Sequence, residues 1–206
     1  NEQEISEFNK RINKWLDQSK TFYVAEPKID GLGVSLIYKN GKLIRALTRG
    51  DGYSGEDITH NIKTINAVPM ILRGENYPSF LEIRGEIFML KSDFEILNKA
   101  RSNVGEKLFA NARNAAAGSV RQLDPNITSR RKLSIFCYEL GASDGLDVKT
   151  HWDMLSYLKS IGLPVNPLAK KIDSIDNMIL YHQDLEEKRD NIPYEIDGSV
   201  IKVDSY

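Results

Sequence analysis

Leu32, Val34, Leu36 and Tyr38 alternate with other residues, Asn40-Gly41 follows, and a second strand-like run extends from Leu43 to Thr48. No other stretch restricts the fold as much. Side chains on a strand alternate between faces, so the period-two spacing predicts a half-buried strand. Asn-Gly between two such runs predicts a two-residue type I′ turn, because both central residues there need positive φ. The local sheet is therefore antiparallel.

Around this hairpin the pattern changes to helical spacing and back. Ile5, Phe8, Ile12, Trp15 and Leu16 predict one amphipathic helix over Asn1 to Ser19 that needs a partner for its apolar stripe. Further helices are expected over Asp57 to Ile65, Trp152 to Ile161 and Ile175 to about Arg189, with strands over Phe22 to Ala25, Phe80 to Met89, Leu133 to Leu140 and Val200 to Val203. Ser92 followed by Glu95 reads as a capping box for a helix to about Ser102. Asn111 to Leu123 reads as a helix with a small-residue face, in which Gly118 implies close packing, since glycine in a helix costs about 1 kcal/mol. Helices and hairpin strands without regular βαβ alternation give an α+β class, antiparallel sheets with packed helices, and one domain over residues 1–206.

Charge narrows the function classes. Lys plus Arg number 28 against 29 Asp plus Glu, a net charge of −1, so no global field holds nucleic acid or a membrane. Between Lys99 and Lys132, however, eight basic residues face two acids, a local +6 that is either a solvated face or a phosphate-facing surface. A single cysteine, Cys137, excludes an internal disulfide and is expected to be a buried core thiol. His60, His151 and His182 lie too far apart for a zinc spacing. No apolar run approaches the roughly 18 residues of a membrane span, and no signal-peptide pattern is present, so a soluble, cytoplasmic monomer is expected.

Gly50-Asp51-Gly52-Tyr53-Ser54-Gly55 matches G-x-G-x-x-G. The strand before it belongs to a tight antiparallel hairpin, whereas the dinucleotide fingerprint opens a parallel βαβ unit, so that reading is rejected. Glu26-Pro27-Lys28-Ile29-Asp30-Gly31 is more telling in company than alone. A lysine beside an Asp-Gly turn is usually a loop residue, but Glu82-Ile83-Arg84-Gly85-Glu86 and Glu195-Ile196-Asp197-Gly198-Ser199-Val200-Ile201-Lys202 put more charge into apolar strands. Such placement needs pairing or a task.

Lys28-Ile29-Asp30-Gly31 resembles the K-x-D-G signature of covalent nucleotidyltransferases, the ligases and capping enzymes. Thr48-Arg49-Gly50-Asp51-Gly52 through Gly55-Glu56-Asp57, Asn111-Ala112-Arg113-Asn114-Ala115-Ala116-Ala117-Gly118-Ser119 and Asp197-Gly198-Ser199-Val200-Ile201-Lys202 are similar to the adenylation domain of bacterial NAD-dependent DNA ligases, over nearly the whole chain. The resemblance implies the nucleotidyltransferase catalytic-domain fold, NAD and Mg²⁺ as cofactors, and nicked duplex DNA as the partner of the whole enzyme. It also implies a lysine that attacks the α-phosphorus of NAD, expels nicotinamide mononucleotide and carries the adenylate to a DNA 5′-phosphate.

Lys28 stands at the nucleophile position. An ordinary lysine near pKa 10.4 is neutral about once in a thousand at pH 7.4, and bringing it to about 7.5 requires roughly 4 kcal/mol against the ammonium. A second positive charge at about 5 Å supplies roughly 3 kcal/mol at an effective dielectric of about 20. Lys202 is the candidate, and the resemblance also places it on the α-phosphate. Asp30, as a carboxylate, opposes that shift and is assigned to orientation.

By the same resemblance Glu26 recognises the adenine edge, Tyr138 stacks on the ring, and Arg49 contacts the sugar or phosphate side. Glu86 lies near ribose and metal, Asp197 is a second metal-side acid, and Arg113, Arg121 and Arg189 meet phosphates of cofactor or DNA. Arg113 and Arg121, eight residues apart, are about two helical turns from one another and are expected to face one polyanion. Glu82, Arg84, Lys63 and Asp57 are left as structural charges.

The family's nicotinamide-binding N-terminal segment is expected before Asn1, and its oligonucleotide-binding barrel, zinc module, helix-hairpin-helix and BRCT parts after Tyr206, so the chain reads as a fragment. Weak or absent self-adenylation from NAD by the fragment alone follows. Ala112 stands where the family usually has proline. The alternatives are an ATP- or GTP-using relative in the same superfamily and a non-catalytic nucleic-acid-binding module built on the +6 segment.

Overall fold

The computed structural model describes residues 2–16, 21–50 and 55–206. Helix α1 (Glu2–Leu16) precedes strands β1 (Tyr23–Ile29), β2 (Leu32–Lys39) and β3 (Lys42–Thr48). A short helix α2 (Thr59–Ile62), strand β4 (Phe80–Met89) and helices α3 (Lys91–Asn103), α4 (Ala112–Val120) and α5 (Pro125–Ser129) follow. Strand β5 (Leu133–Ser143), helix α6 (His151–Ser160), strand β6 (Lys170–Ile172), helix α7 (Ile175–Lys188) and strand β7 (Ile196–Val203) complete the order. The strands make two antiparallel sheets, ordered β6-β1-β7 and β3-β2-β4-β5. This is the expected α+β class.

The hairpin forms as its sequence requires. Lys39 pairs with Lys42, and Asn40 and Gly41 take φ values of 48° and 71°. Val34, Leu36 and Tyr38 are buried, so the alternating face is the core face.

Only Asp30 and Gly31 separate β1 in one sheet from β2 in the other. The Asp30 N–H donates to the Glu195 carbonyl at 3.0 Å. A β-carbon on Gly31 would collide with the Ile87 carbonyl oxygen and lie 2.9 Å from Glu86 Cγ. The Asp-Gly pair is thus a step between sheets in which no side chain fits at the second residue.

A second glycine shapes the facing strand. Pro27 pairs with Ser199 and Ile29 with Ile196, so Asp197 and Gly198 together oppose the single residue Lys28. This is a β-bulge, and Gly198 supplies its φ of 130°, a value that L side chains rarely adopt. Pro27 is tolerated in β1 because β6 pairs only with Tyr23 to Ala25 and leaves that edge open farther along.

The larger core packs the four-stranded sheet against α2, α4 and α6 through Leu36, Ile62, Ile83, Ala115, Ala116 and Leu158. The smaller one lies under the three-stranded sheet, where Tyr23, Met178, Tyr181 and Leu185 meet Ile5, Phe8 and Ile12 of α1. Phe88 of β4 stacks on Phe136 of β5 at 4.9 Å between centroids, and both rings touch Tyr194, so aromatic packing joins the sheets.

Several local expectations need correction. The α1 stripe ends a turn early, because Trp15 is 82% exposed while Ile5, Phe8 and Ile12 find partners. Ser92 forms no cap, since α3 starts at Lys91, whose N–H is already taken by the Pro193 carbonyl at 2.9 Å. The helix expected over Asn111 to Leu123 is α4, capped by the Asn111 side chain on the Asn114 N–H and ending at Val120, and a separate short helix, α5, capped by Asp124, follows it. Ala112 is the first residue of α4, a position that accepts alanine as readily as proline. A β-carbon on Gly118 would sit 2.9 Å from Phe109 Cε1, the close packing its sequence position implied. Most of the glycine loop, residues 51–54, lies outside the described residues. Among the described residues no helix is long and apolar enough to cross a membrane.

Candidate active site

The step between the sheets opens a cleft of about 360 Å³. Glu26 and Lys28 enter it from β1, Glu86 from β4, Tyr138 from β5 and Asp197 and Lys202 from β7. Arg49, just past β3, and Arg113, in the first turn of α4, complete its charged wall. Eight of the expected site residues, drawn from six parts of the chain, therefore share one cavity. Alternation explains β7: Val200 and Lys202 face the cleft while Ile201 and Val203 pack toward the smaller core.

The two lysines have different carboxylate partners. Lys28 Nζ lies 2.8 Å from Asp197 Oδ2, with its side chain 56% exposed. The bulge aims Asp197 at it, and the Lys28 hydrogen bond holds the Asp197 carboxyl below its ordinary pKa. Lys202 Nζ instead lies 3.1 Å from Glu26 Oε1, donates to the Tyr138 carbonyl at 3.3 Å and stands 5.3 Å from the centre of the Tyr138 ring. Each ammonium thus has its own carboxylate within the one cleft.

Glu26 is only 5% exposed. Burial alone would raise its carboxyl, but the His151 hydrogen bond at 2.7 Å and the Lys202 charge outweigh it and leave the pKa below the ordinary value. Glu86 shows the opposite balance. Its burial lifts the carboxyl to about 7, against the charges of Arg113 and Arg49. Gly33 lies opposite Glu86 across the β2–β4 pairing, and a β-carbon there would stand 3.5 Å from both Arg49 and Glu86, in ordinary contact with each. Tyr138 is pushed up to about 12 by burial first and the nearby Glu86 second, so it is a neutral aromatic wall.

Asp30 stands at the rim, where Arg113 Nη1 approaches its Oδ1 at 3.2 Å. Arg121 lies past the end of α4 and is paired with Glu56 at 2.6 Å, outside the cleft lining, so the two arginines have separate carboxylate partners. Arg189 caps α7 outside the lining, and its charge still reaches Asp197. Cys137 is buried against the cleft, with its thiol raised to about 12, as expected of a core thiol. Arg84 pairs with Glu139 at 2.9 Å and Asp57 with Arg45 at 3.0 Å. Among the described residues no group of three or more His, Cys, Asp or Glu side chains could hold a metal ion. The donor set of the cleft, Glu86 and Asp197, suits a hard cation held mainly by substrate phosphates and water rather than by a protein cage.

Sequence reasoning missed His151, which is buried at the first turn of α6 with its ring on Glu26. Its signal was weak: a lone histidine next to a Thr150 cap.

The family model described as the NAD-dependent DNA ligase adenylation domain matches residues 1–206. The chain belongs to that family. It is 49% identical over 209 residues to a DNA ligase of Geotalea daltonii, covering 100% of this chain and 31% of that protein. It is 48% identical over 205 residues to a DNA ligase of Shouchella clausii, covering 100% of this chain and 30% of that protein. The chain thus spans about a third of the length of these curated relatives. Among solved structures, a mycobacterial DNA ligase D complexed with ATP and MES superimposes with a TM-score of 0.51 at 13% identity, covering 90% of this chain and 49% of that one, a likeness of fold.

Proposed function

We propose that this adenylation domain captures AMP from NAD on Lys28, as the first step of nick sealing by a longer ligase. What carries the reading is the meeting of Lys28, Glu26, Tyr138 and Lys202 in one cleft. Tyr138 supplies a neutral face for a purine, and Glu26 supplies an acceptor at its edge. Lys28 gives up its ion pair with Asp197, passes a proton to the solvent that reaches its exposed side chain, and attacks the α-phosphorus with the freed lone pair. The phosphorus–nitrogen bond forms as the bond to the nicotinamide mononucleotide oxygen breaks, and the pair of electrons leaves with that oxygen. Arg49 offsets phosphate charge, Lys202 holds Glu26 at the base, and Asp30, tethered to Arg113, orients the nucleophile.

Glu86 and Asp197 would hold Mg²⁺, which supplies charge neutralisation at the phosphates. Arg113 from the cleft wall, and Arg121 and Arg189 outside it, would meet phosphates of the cofactor or of nicked duplex DNA during the later transfer to a DNA 5′-phosphate. With one buried thiol and no membrane-crossing helix among the described residues, the work fits a cytoplasmic monomer.

The test is intact-mass analysis of a full-length ligase carrying this domain after incubation with NAD and Mg²⁺. The wild type is expected to gain one adenylate, and Lys28→Ala none. An adenylated Lys28→Ala protein would overturn the assignment.

A further inference from the structure

His151 is held more firmly than a chance neighbour of Glu26 would need. Its backbone N–H donates to the Asp204 carbonyl at 2.7 Å, and the Asp204 side chain in turn accepts from the Trp152 N–H at 2.8 Å and from Lys171 at 2.6 Å. The ring is therefore directed inward at 2% exposure. Nε2 lies 2.7 Å from Glu26 Oε1 and 3.4 Å from Lys202 Nζ, while Nδ1 lies 3.3 Å from the Tyr206 hydroxyl.

These distances fix where the proton sits. A lone pair on Nε2 would oppose a carboxylate oxygen at 2.7 Å, acceptor against acceptor. Nε2 therefore carries hydrogen and donates to Oε1, while Nδ1 meets the Tyr206 hydroxyl. Lys202 donates to the same Oε1 from 3.1 Å. One carboxylate oxygen is thus held by two donors on opposite elements, α6 and β7, whereas Oε2 accepts no hydrogen bond among the described residues.

We infer that His151 is the positioning residue of the base subsite: by fixing Oε1 of Glu26 it leaves Oε2 as an open, oriented acceptor that takes the amine of a 6-aminopurine and repels the oxygen of a 6-oxopurine. The inference rests on the adenosine reading of the cleft given above. A carboxylate free to rotate would offer both oxygens in many directions and lose the contrast between the two bases.

The 206-residue chain, titrated separately with AMP and IMP and followed by amide NMR shifts, provides the test. Wild type is expected to favour AMP by about tenfold, the discrimination of one well-formed hydrogen bond. His151→Leu is expected to reduce that ratio to near unity by weakening AMP and sparing IMP. His151→Gln places an N–H at the reach of Nε2 and is expected to restore the preference, whereas the shorter His151→Asn is not. Should the leucine variant lose its dispersed amide spectrum, the Gln and Asn pair decides: equal ratios in both overturn the inference. A His151→Leu chain that binds AMP with the wild-type ratio overturns it too, and leaves the adenosine reading intact. Wild type showing no AMP-dependent shifts at Tyr138 and Lys202 defeats the adenosine reading itself and this inference with it.

Discussion

Lys28 Nζ and Asp197 Oδ2 are 2.8 Å apart although the two residues stand 169 positions apart in the chain. The contact exists because β1 and β7 pair and because the bulge places two residues opposite one. It makes the amine a well-placed ammonium, and the chemistry proposed for it begins by breaking that contact.

Arginine separates the ion pair from the nucleophile. Lys28→Arg is expected to keep the Asp197 contact and nucleotide binding, yet to form no covalent adenylate, because a guanidinium does not surrender its proton at neutral pH. Intact mass and an AMP titration on the same protein read the two properties separately.

Gly31 has no space for a β-carbon against the Ile87 carbonyl. Gly31→Ala is expected to destabilise the fold by about 3 kcal/mol, the range of overpacked sites, through the shift it forces between β1 and β4. Urea unfolding measures it, and a change below about 0.5 kcal/mol would mean the step relaxes freely.

Glu86 predicts a pH dependence with a definite sign. Its carboxyl lies at about 7 when folded against an ordinary value of 4.5, so the native state binds the proton more tightly than the unfolded chain. The protonated form's stabilising contribution is complete below pH 4.5 and is lost as pH rises through 7, by about 3 kcal/mol. Glu86→Gln is expected to flatten the stability difference between pH 5 and pH 8, as read by urea melts. The wild-type slope surviving in the variant would place its origin elsewhere.

Arg113 opposes that rise with its charge. Arg113→Ala is therefore expected to move the Glu86 titration midpoint further upward, visible in carboxyl carbon NMR shifts. A downward movement would contradict the electrostatic assignment.

Cys137 is buried, and its thiol is raised to about 12. Ellman's reagent at pH 8 is expected to modify it only as fast as the chain unfolds, with full reaction in denaturant.

How much of this was legible in sequence depended on the range of the interaction. The β2–β3 hairpin was readable because Asn40 and Gly41 encode their own φ angles, and β4 because ten residues carry one pattern. Strand β6 was not, since three residues hold no periodicity and exist as a strand through backbone pairing with Tyr23 to Ala25. The Ser92–Glu95 cap failed for a similar reason: Pro193, distant in sequence, had already taken the Lys91 N–H. For the site, family-like motifs located Glu26, Lys28, Glu86, Asp197 and Lys202 in one cleft, but motifs do not encode which amine pairs with which carboxylate. His151 escaped because its meaning lies in Glu26, on another strand, rather than in its neighbours along the chain.

The extra residue at Gly198 works as a local detour. Ile196 keeps its place opposite Ile29 and Ser199 its place opposite Pro27, and the surplus is absorbed opposite Lys28. Deleting one residue from Asp197-Gly198 would leave both flanks in step with β1, so Val200 and Lys202 would keep the cleft side and Ile201 and Val203 the core side. The loss would fall on the detour itself: the carboxylate that meets Lys28 hangs on it, and a one-codon deletion there would untie the counter-ion of Lys28 while sparing the rest of the pocket.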